Sequence, residues 1–242
     1  MILWLVVLAF GPGIFWLWYV YQKDRWEPEP RALVVKTFLL GMACAVPAAL
    51  GEFLLFYSSI FFWPGFFVIV FAAPIIEEYA KYFVVSRIVY RQIDFSEPMD
   101  GIVYSAAAAL GFASIENLLY LIAAQGKDIL TPVFIGRAVF SVPGHVLFST
   151  IWGAALGRAK FISDPLRRRA LIHGGLLTAM VAHGLFNLLA MFGLLGAIGL
   201  LVFLFFAWKF FHQRVEEAIS QSPYAQRLEQ LFGRRDNSEP RP

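Results

Sequence analysis

Residues 63–85 read WPGFFVIVFAAPIIEEYAKYFVV, an apolar run whose length is typical of a membrane-spanning helix. Three charged residues, Glu77, Glu78 and Lys81, lie near its middle. A charged side chain at that depth costs roughly 2.5–3.5 kcal/mol on membrane-insertion scales. These residues therefore need partners inside the protein, which could be one another, groups on neighbouring helices, or an ion.

The composition places this run in a membrane protein. Of the 242 residues, 59% are hydrophobic and only 15% are charged, and the mean hydropathy is +0.65. Soluble domains carry about 25% charged residues. We predict an all-α, polytopic membrane helical bundle in contact with membrane lipids. The single cysteine, Cys44, excludes an intrachain disulfide, and the sequence contains no nucleic-acid-binding motif.

About seven segments are apolar enough to span a bilayer, with a range of six to eight because the last two could form one hairpin. The first segment lacks a basic start and a cleavage site, so we expect a retained helix, not a signal peptide, with no soluble domain before it. The predicted spans are 1–21, 33–57, 64–86, 101–124, 133–157, 170–190 and 194–211.

The positive charges predict the orientation. Charged connectors alternate with short, nearly neutral ones. If the charged connectors and the C-terminal tail are placed in the cytoplasm, 17 of the 20 Lys and Arg residues lie on that side. The other three are Lys81, Lys127 and Arg137. This asymmetry predicts an N-terminus outside and a C-terminus in the cytoplasm. Residues 1–211 then form the transmembrane domain, and 212–242 form a polar cytoplasmic tail that is partly helical and then disordered.

Polar residues in four spans fall at one depth. Glu77, Glu116, His145 and His183 each lie 12 to 15 residues after the start of their span. At about 1.5 Å per residue, each is roughly 20 Å from that end and in the middle third of the membrane. Such alignment favours one shared polar site over scattered packing groups.

Spacing within the helices adds to this prediction. Glu77 and Lys81 are four residues apart, as are His183 and Asn187, so each pair shares a helix face. Pro74 predicts a kink just before the glutamates.

Simpler roles are expected for other polar residues. Arg137 is expected to snorkel towards the outer surface, Asp100 to cap the fourth span, and Asn117 to act as a helix-packing amide. A solvated position near the end of the second span is favoured for Glu52.

Three classes of function are compatible with these residues. In a hydrolase, a glutamate activates water while His and Asn donors stabilise the oxyanion; the same Glu/His set could instead bind zinc. A proton- or cation-coupled transporter also uses charged groups at the midplane, although no inverted repeat is present. A scaffold protein leaves the cost of the buried charges unexplained.

The motifs EEYAK (77–81), FASIEN (112–117), the histidine of the fifth span and HGLFN (183–187) resemble those of the PrsW family of intramembrane proteases. That family is distantly similar to the CAAX prenyl endopeptidase (Abi) family, whose pattern is EExxxR, FxxxH and HxxxN. The resemblance covers about residues 1–210 and implies a membrane-embedded endopeptidase in the transmembrane domain.

The resemblance also implies roles for individual residues. Glu77 and Glu78 match the paired glutamates, with Glu77 as the water activator, and Lys81 orients a glutamate. Phe112 and Glu116 match FxxxE, so Glu116 takes the place of the Abi histidine. His183 and Asn187 match HxxxN, the oxyanion-stabilising pair. The resemblance implies catalytic roles for Glu77, Glu78, Glu116, His183 and Asn187, support from Lys81, Phe112 and Asn117, and a metal set of His145, His183, Glu116 and Glu78.

Metal-dependent and metal-free mechanisms both stay open at this point, and zinc is the metal expected if one is bound. The implied substrates are membrane-anchored proteins, such as single-span anti-sigma factors. The implied location is the bacterial cytoplasmic membrane.

Overall fold

The computed structural model describes residues 2–59, 64–225 and 227, and this part of the chain forms a helical bundle without a strand. Two helical stretches contain three wider, π-helical turns: one separates α3 from α4, one extends α4, and one separates α6 from α7. The helices are α1 (Ile2–Tyr21), α2 (Arg31–Ser59), α3 (Gly65–Phe67), α4 (Ala73–Val84), α5 (Pro98–Ala124), α6 (Leu130–Gly136), α7 (Val142–Ala159), α8 (Pro165–Ala190) and α9 (Gly193–Ser220).

The predicted helical membrane bundle is confirmed. Among the described residues, six helical stretches are long and apolar enough to cross a membrane, and they overlap six of the seven predicted spans. The remaining predicted span, 64–86, corresponds to the continuous helical stretch from Gly65 to Val89, which carries the three central charges and is not among these six. The orientation of the termini stays a prediction.

The predicted tail does not begin at a helix boundary. α9 runs through residue 212 to Ser220, and residues 223–225 are helical again. The stretch predicted to be disordered, GRRDNSEPRP, lies outside the described residues, and the division at residue 211 stays a prediction.

α5 is the central helix of the bundle, and almost all of its side chains from Pro98 to Ser114 are buried. It packs against α1, α2 and α7. Its close approach to α7 depends on glycines, because a Cβ on Gly101 would lie 2.2 Å from the Gly153 carbonyl oxygen, and one on Gly157 would lie 2.1 Å from that of Pro98. This close packing fixes α5 relative to α7, the two helices that carry Glu116 and His145.

Two of the π-helical turns, Val68–Ala72 and Arg137–Ser141, end two residues before a proline. Pro74 and Pro143 have no N–H to donate, so carbonyl groups one turn earlier lose their helical partners. Such turns occur often at functional sites. Here they immediately precede the segments that carry Glu77 and His145, so the predicted irregularity at Pro74 takes the form of a widened turn.

Candidate active site

Four helices bring the predicted polar residues together inside the bundle. Glu77, Glu78 and Lys81 come from α4, His145 comes from α7, and His183 comes from α8; each is at most 4% exposed. Glu116 comes from α5, and its side chain is 22% exposed. The convergence predicted from their common depth is therefore present.

Glu78 is held by four donors. Its Oε1 accepts from Lys81 Nζ at 2.9 Å and from His183 Nδ1 at 3.1 Å, and its Oε2 accepts from the Ser149 hydroxyl at 2.7 Å and from Trp152 Nε1 at 3.0 Å. A fully buried carboxylate with this many partners is fixed in place. Glu78 therefore holds its neighbours in position and does not line the cavity described below.

Lys81 is the cation at the centre of the cluster. Its Nζ lies 2.9 Å from Glu78 Oε1, 3.1 Å from Glu77 Oε2 and 3.0 Å from His145 Nδ1, and it lies 4.3 Å from the centre of the Phe112 ring. The predicted i,i+4 pair is confirmed, and Phe112 supports the ammonium through its ring face.

The partners of the two histidines assign their tautomers. An ammonium group can only donate, so His145 Nδ1 accepts from Lys81 and His145 Nε2 donates to Glu116 Oε2 at 2.8 Å. His183 donates from Nδ1 to Glu78. The unprotonated nitrogens, His145 Nδ1 and His183 Nε2, therefore lie on the side of Glu77 Oε2, at 3.8 and 4.0 Å, and Lys81 donates to the first of them.

This arrangement fits a metal ion in its donor types. One ligand atom each from Glu77, His145 and His183 lie within 4.8 Å of one another. Zinc takes imidazole nitrogen and carboxylate oxygen at about 2.0–2.2 Å, which puts tetrahedral ligands about 3.3 Å apart. The far nitrogens of both rings are bound to carboxylates, the outer contact that metal-binding histidines usually have. Lys81 contacts two of the three donor atoms and would compete with a metal for them.

Glu77, His145 and His183 line a cavity of about 280 Å³. Its wall also includes Glu116 and Asn187, so the cavity joins groups from α4, α5, α7 and α8. Other polar side chains in the wall are Glu52, Tyr120, Arg137 and Ser141.

Asn187 has a backbone partner in this wall. The N–H of Ala73 bonds to the Val68 carbonyl in the π-helical turn, and Pro74 has no N–H, so the Ile69 carbonyl lacks both helical donors. Asn187 Nδ2 fills this position at 2.9 Å. One of its two amide hydrogens is thereby used, and the second is available to the cavity.

The expected role of Arg137 was wrong. Instead of snorkelling, its Nη2 pairs with Glu116 Oε2 at 2.8 Å and its Nε donates to Asn117 Oδ1 at 2.5 Å. The Asn117 amide nitrogen lies 3.4 Å from the Ala9 carbonyl oxygen, which agrees with a packing role. Pairing is favoured over snorkelling because Glu116 would otherwise be a partly buried carboxylate without a cation.

Three further residues were undervalued or missed. Glu52 lines the cavity, and its buried Oε1 has no hydrogen-bond partner among the described residues. Ser149 and Trp152 hold Glu78, yet serine and tryptophan are common in membrane helices. Only their spacing could have indicated this role, because they lie four and seven residues after His145, on the same face of α7.

The fold and the site define a polytopic membrane protein with a buried glutamate–histidine centre, built from the ligand types that metal-dependent hydrolases use. The chain belongs to the PrsW family, described as intramembrane metalloproteases, whose family model matches residues 29–211. The resemblance carried by the sequence motifs is therefore confirmed.

Relatives named Protease PrsW are similar to the chain over most of its length. The one from Geobacillus kaustophilus is 37% identical over 183 residues, which cover 76% of this chain and 78% of the relative. The relative from Clostridioides difficile is 32% identical over 223 residues, covering 90% and 92%. The relative from Bacillus subtilis is 32% identical over 216 residues, covering 89% and 96%. No solved structure matches the chain.

Proposed function

We propose that the chain is a zinc-dependent endopeptidase that cleaves membrane-anchored protein substrates, such as single-span anti-sigma factors, in the bacterial cytoplasmic membrane. The observation that carries the proposal is the meeting of Glu77, His145 and His183 donor atoms at the wall of a cavity inside a membrane bundle. Membership of a family of intramembrane metalloproteases supports it. No observation favours transport.

Glu77, His145 and His183 would hold the zinc ion. When bound, zinc supplies a water of lowered pKa and a Lewis acid for the peptide carbonyl. The metal set inferred from the sequence, His145, His183, Glu116 and Glu78, is therefore revised. Both histidines stay, Glu77 joins them, and the other two glutamates hold the far nitrogens of the rings.

The remaining residues are assigned by their contacts. Glu78 and Glu116 keep each histidine in the tautomer whose lone pair faces Glu77. The Arg137 guanidinium and the second Asn187 N–H are the donors that face the cavity where a substrate carbonyl oxygen gains negative charge. Among the described residues, nothing hydrogen-bonds to the buried Oε1 of Glu52, so this carboxylate is the one in the cavity to accept a proton from water and pass it to the leaving amine.

Metal content and cleavage test the proposal together. We expect detergent-purified protein to contain one zinc ion per chain, lost in His145→Ala and in His183→Ala. His173→Ala is the matched control, because His173 is an exposed histidine on the same helix as His183, and it should keep the metal. Wild-type protein that cleaves a membrane substrate with no bound metal would overturn the zinc assignment.

Cleavage tests the residues separately. Glu77→Ala, Glu116→Ala and His183→Ala should each abolish cleavage of a single-span substrate while the folded protein stays in the membrane. Glu52→Gln should slow cleavage on the order of 10²-fold, as expected for loss of a general base. Proteolysis retained in the first three variants would overturn the site assignment.

A further inference from the structure

Four buried carboxylates form a second polar cluster, far from the active site. Asp24 and Glu29 lie in the connector between α1 and α2, and Glu97 and Asp100 lie at the start of α5; their exposures are 5, 2, 1 and 0%. Asp100 is 16 residues before Glu116 on α5, which corresponds to about 24 Å along the helix. The cluster is therefore separate from the cavity that holds the active-site residues.

The carboxylates point towards one another. One oxygen each from Asp24, Glu97 and Asp100 lie within 4.8 Å of one another. Glu29 is the fourth member and lies within hydrogen-bonding reach of Asp100. Three acids from two chain segments thus lie within reach of one ion, and Glu29 adjoins one of them.

Each acid has an oxygen fixed by a protein donor. Asp24 Oδ2 accepts from the Glu29 N–H at 3.2 Å, and Asp100 Oδ2 accepts from the Ser96 and Glu97 N–H groups at 2.5 and 2.8 Å. The Tyr104 hydroxyl donates to Glu29 Oε2, and the Ser222 hydroxyl donates to Glu97 Oε2. The cluster is held in shape from α5 and from the segment after α9.

In the described part of the chain, three oxygens receive no donor from outside the cluster, and these buried acceptors are the independent sign of a ligand. Asp24 Oδ1, Glu29 Oε1 and Asp100 Oδ1 are buried and accept no hydrogen bond among the described residues. Within residues 2–59, 64–225 and 227, no lysine or arginine forms an ion pair with any of the four acids. A buried unpaired carboxylate is too costly to remain ionised, so it takes up a proton or a cation.

Asp24 and Glu29, the two acids in the connector, have raised pKa values because ionising them in a buried site is costly. Burial, together with the nearby Glu97 and Asp100, raises the pKa of Asp24 to about 8. Burial, followed by the charge of Asp100, raises the pKa of Glu29 to about 10.

We propose that Asp24, Glu29, Glu97 and Asp100 form a binding site for a hard divalent cation, Ca²⁺ or Mg²⁺. All the available ligand atoms are oxygens, which these ions prefer, whereas the histidine-containing active site suits zinc. The ion fastens the α1–α2 connector to the start of α5, and through Ser222 it secures the segment that follows α9.

Terbium luminescence tests the site directly. Tb³⁺ replaces Ca²⁺ at oxygen sites and emits when a nearby tyrosine is excited, and Tyr104 contacts Glu29 here. In full-length detergent-purified protein carrying His145→Ala and His183→Ala, we expect a Tb³⁺ signal that Ca²⁺ or Mg²⁺ displaces. Asp24→Asn or Glu97→Gln should weaken binding by roughly tenfold or more. Glu216→Gln, which changes an exposed acid on α9, should not.

Thermal unfolding is a second test, because a cation that binds the folded protein stabilises it. A cation at a hundredfold excess over its Kd should raise the unfolding temperature of the wild type by about 5–10 °C. In EDTA, Asp24→Asn should be at least as stable as wild type, because it removes an unpaired charge, and it should lose the cation effect. Ca²⁺ and Mg²⁺ are compared separately to tell the two ions apart. An equal rise in Asp24→Asn and wild type, or a rise on acidification with none from either ion, overturns the proposal.

Discussion

Two adjacent glutamates have opposite environments. Glu78 meets donors on both oxygens and is sealed in the bundle, whereas Glu77 faces two histidine lone pairs and the cavity. The difference arises because successive helical residues are about 100° apart. Glu78 therefore points into the contact with α7, and Glu77 points between α7 and α8.

The two glutamates should respond differently to the same substitution. In Glu78→Gln, the new amide NH₂ must face donors, because every contact of this side chain is a donor, and we expect a loss of about 3 kcal/mol in the free energy of unfolding. Glu77→Gln should abolish cleavage with little change in unfolding temperature. Thermal unfolding and cleavage of a single-span substrate measure the two effects, and equal unfolding temperatures would contradict the assignment.

The sequence predicted which residues meet, but not the atoms that do so. Common depth and i,i+4 spacing brought Glu77, Lys81, His145 and His183 together correctly. Which histidine nitrogen faces Glu77, and whether Arg137 points outwards or to Glu116, depend on how each helix is rotated about its axis. Hydropathy in fully buried helices such as α5 carries almost no information on that rotation.

Among the helices, the spans were predictable because membrane crossing requires long apolar stretches. The π-helical turns were not, apart from the irregularity at Pro74, because their hydrogen bonds depend on the neighbouring helix. α8 covers the widened turn before α4. Asn187 caps the Ile69 carbonyl there, and Gly184 lies against the Val70 carbonyl, for which the residue four positions on is Pro74, without an N–H. This contact sets the position of His183 relative to Glu77.

A methyl group at Gly184 tests that contact. Its Cβ would lie 2.5 Å from the Val70 carbonyl oxygen, so Gly184→Ala must push α8 away from the turn. We expect a loss of about 1–3 kcal/mol in stability and weaker metal binding, because His183 is the neighbouring residue. Unfolding temperature and zinc content measure these effects.

Gly174→Ala is the matched control. It lies on the same helix with no atom within 4 Å of the new Cβ, so it should stabilise the helix by up to about 1 kcal/mol. Equal effects of the two alanines would show that helix propensity, not the contact with the turn, determines the result.

In the whole molecule, α5 joins two polar clusters of different chemistry. At the start of α5, a cluster of acids contacts the α1–α2 connector and the segment after α9. About 24 Å further along the helix, Glu116 contributes to the active site, which contains Glu, His and Lys. The tight glycine contacts between α5 and α7 make this helix a rigid connection between the two. Because about 24 Å separates the two clusters, the effect of the acid cluster on stability should be measurable separately from metal binding at the active site.

The pH dependence of stability follows from the acid cluster. The folded-state pKa values of Asp24 and Glu29, about 8 and about 10, lie above their ordinary values of 3.8 and 4.5. The folded protein then binds more protons at these two acids than the unfolded chain does, so their contribution to stability is full below about pH 4 and is lost as pH rises through 8 to 10. The groups that act on this cluster are Glu97, Asp100 and Tyr104 on α5, and Lys160 at the end of α7, which interacts with Asp100.

We expect the unfolding temperature in EDTA to fall between pH 6 and pH 9, and the doubly substituted Asp24→Asn, Glu29→Gln protein to lose most of that fall. The difference in unfolding temperature between the two proteins isolates the effect of this cluster, because every other titratable group is the same in both. Because protons and a cation compete for the same oxygens, added Ca²⁺ should restore stability at pH 9 more than at pH 6. A wild-type protein whose stability rises with pH over this range would show that the four acids are ionised and paired in another way.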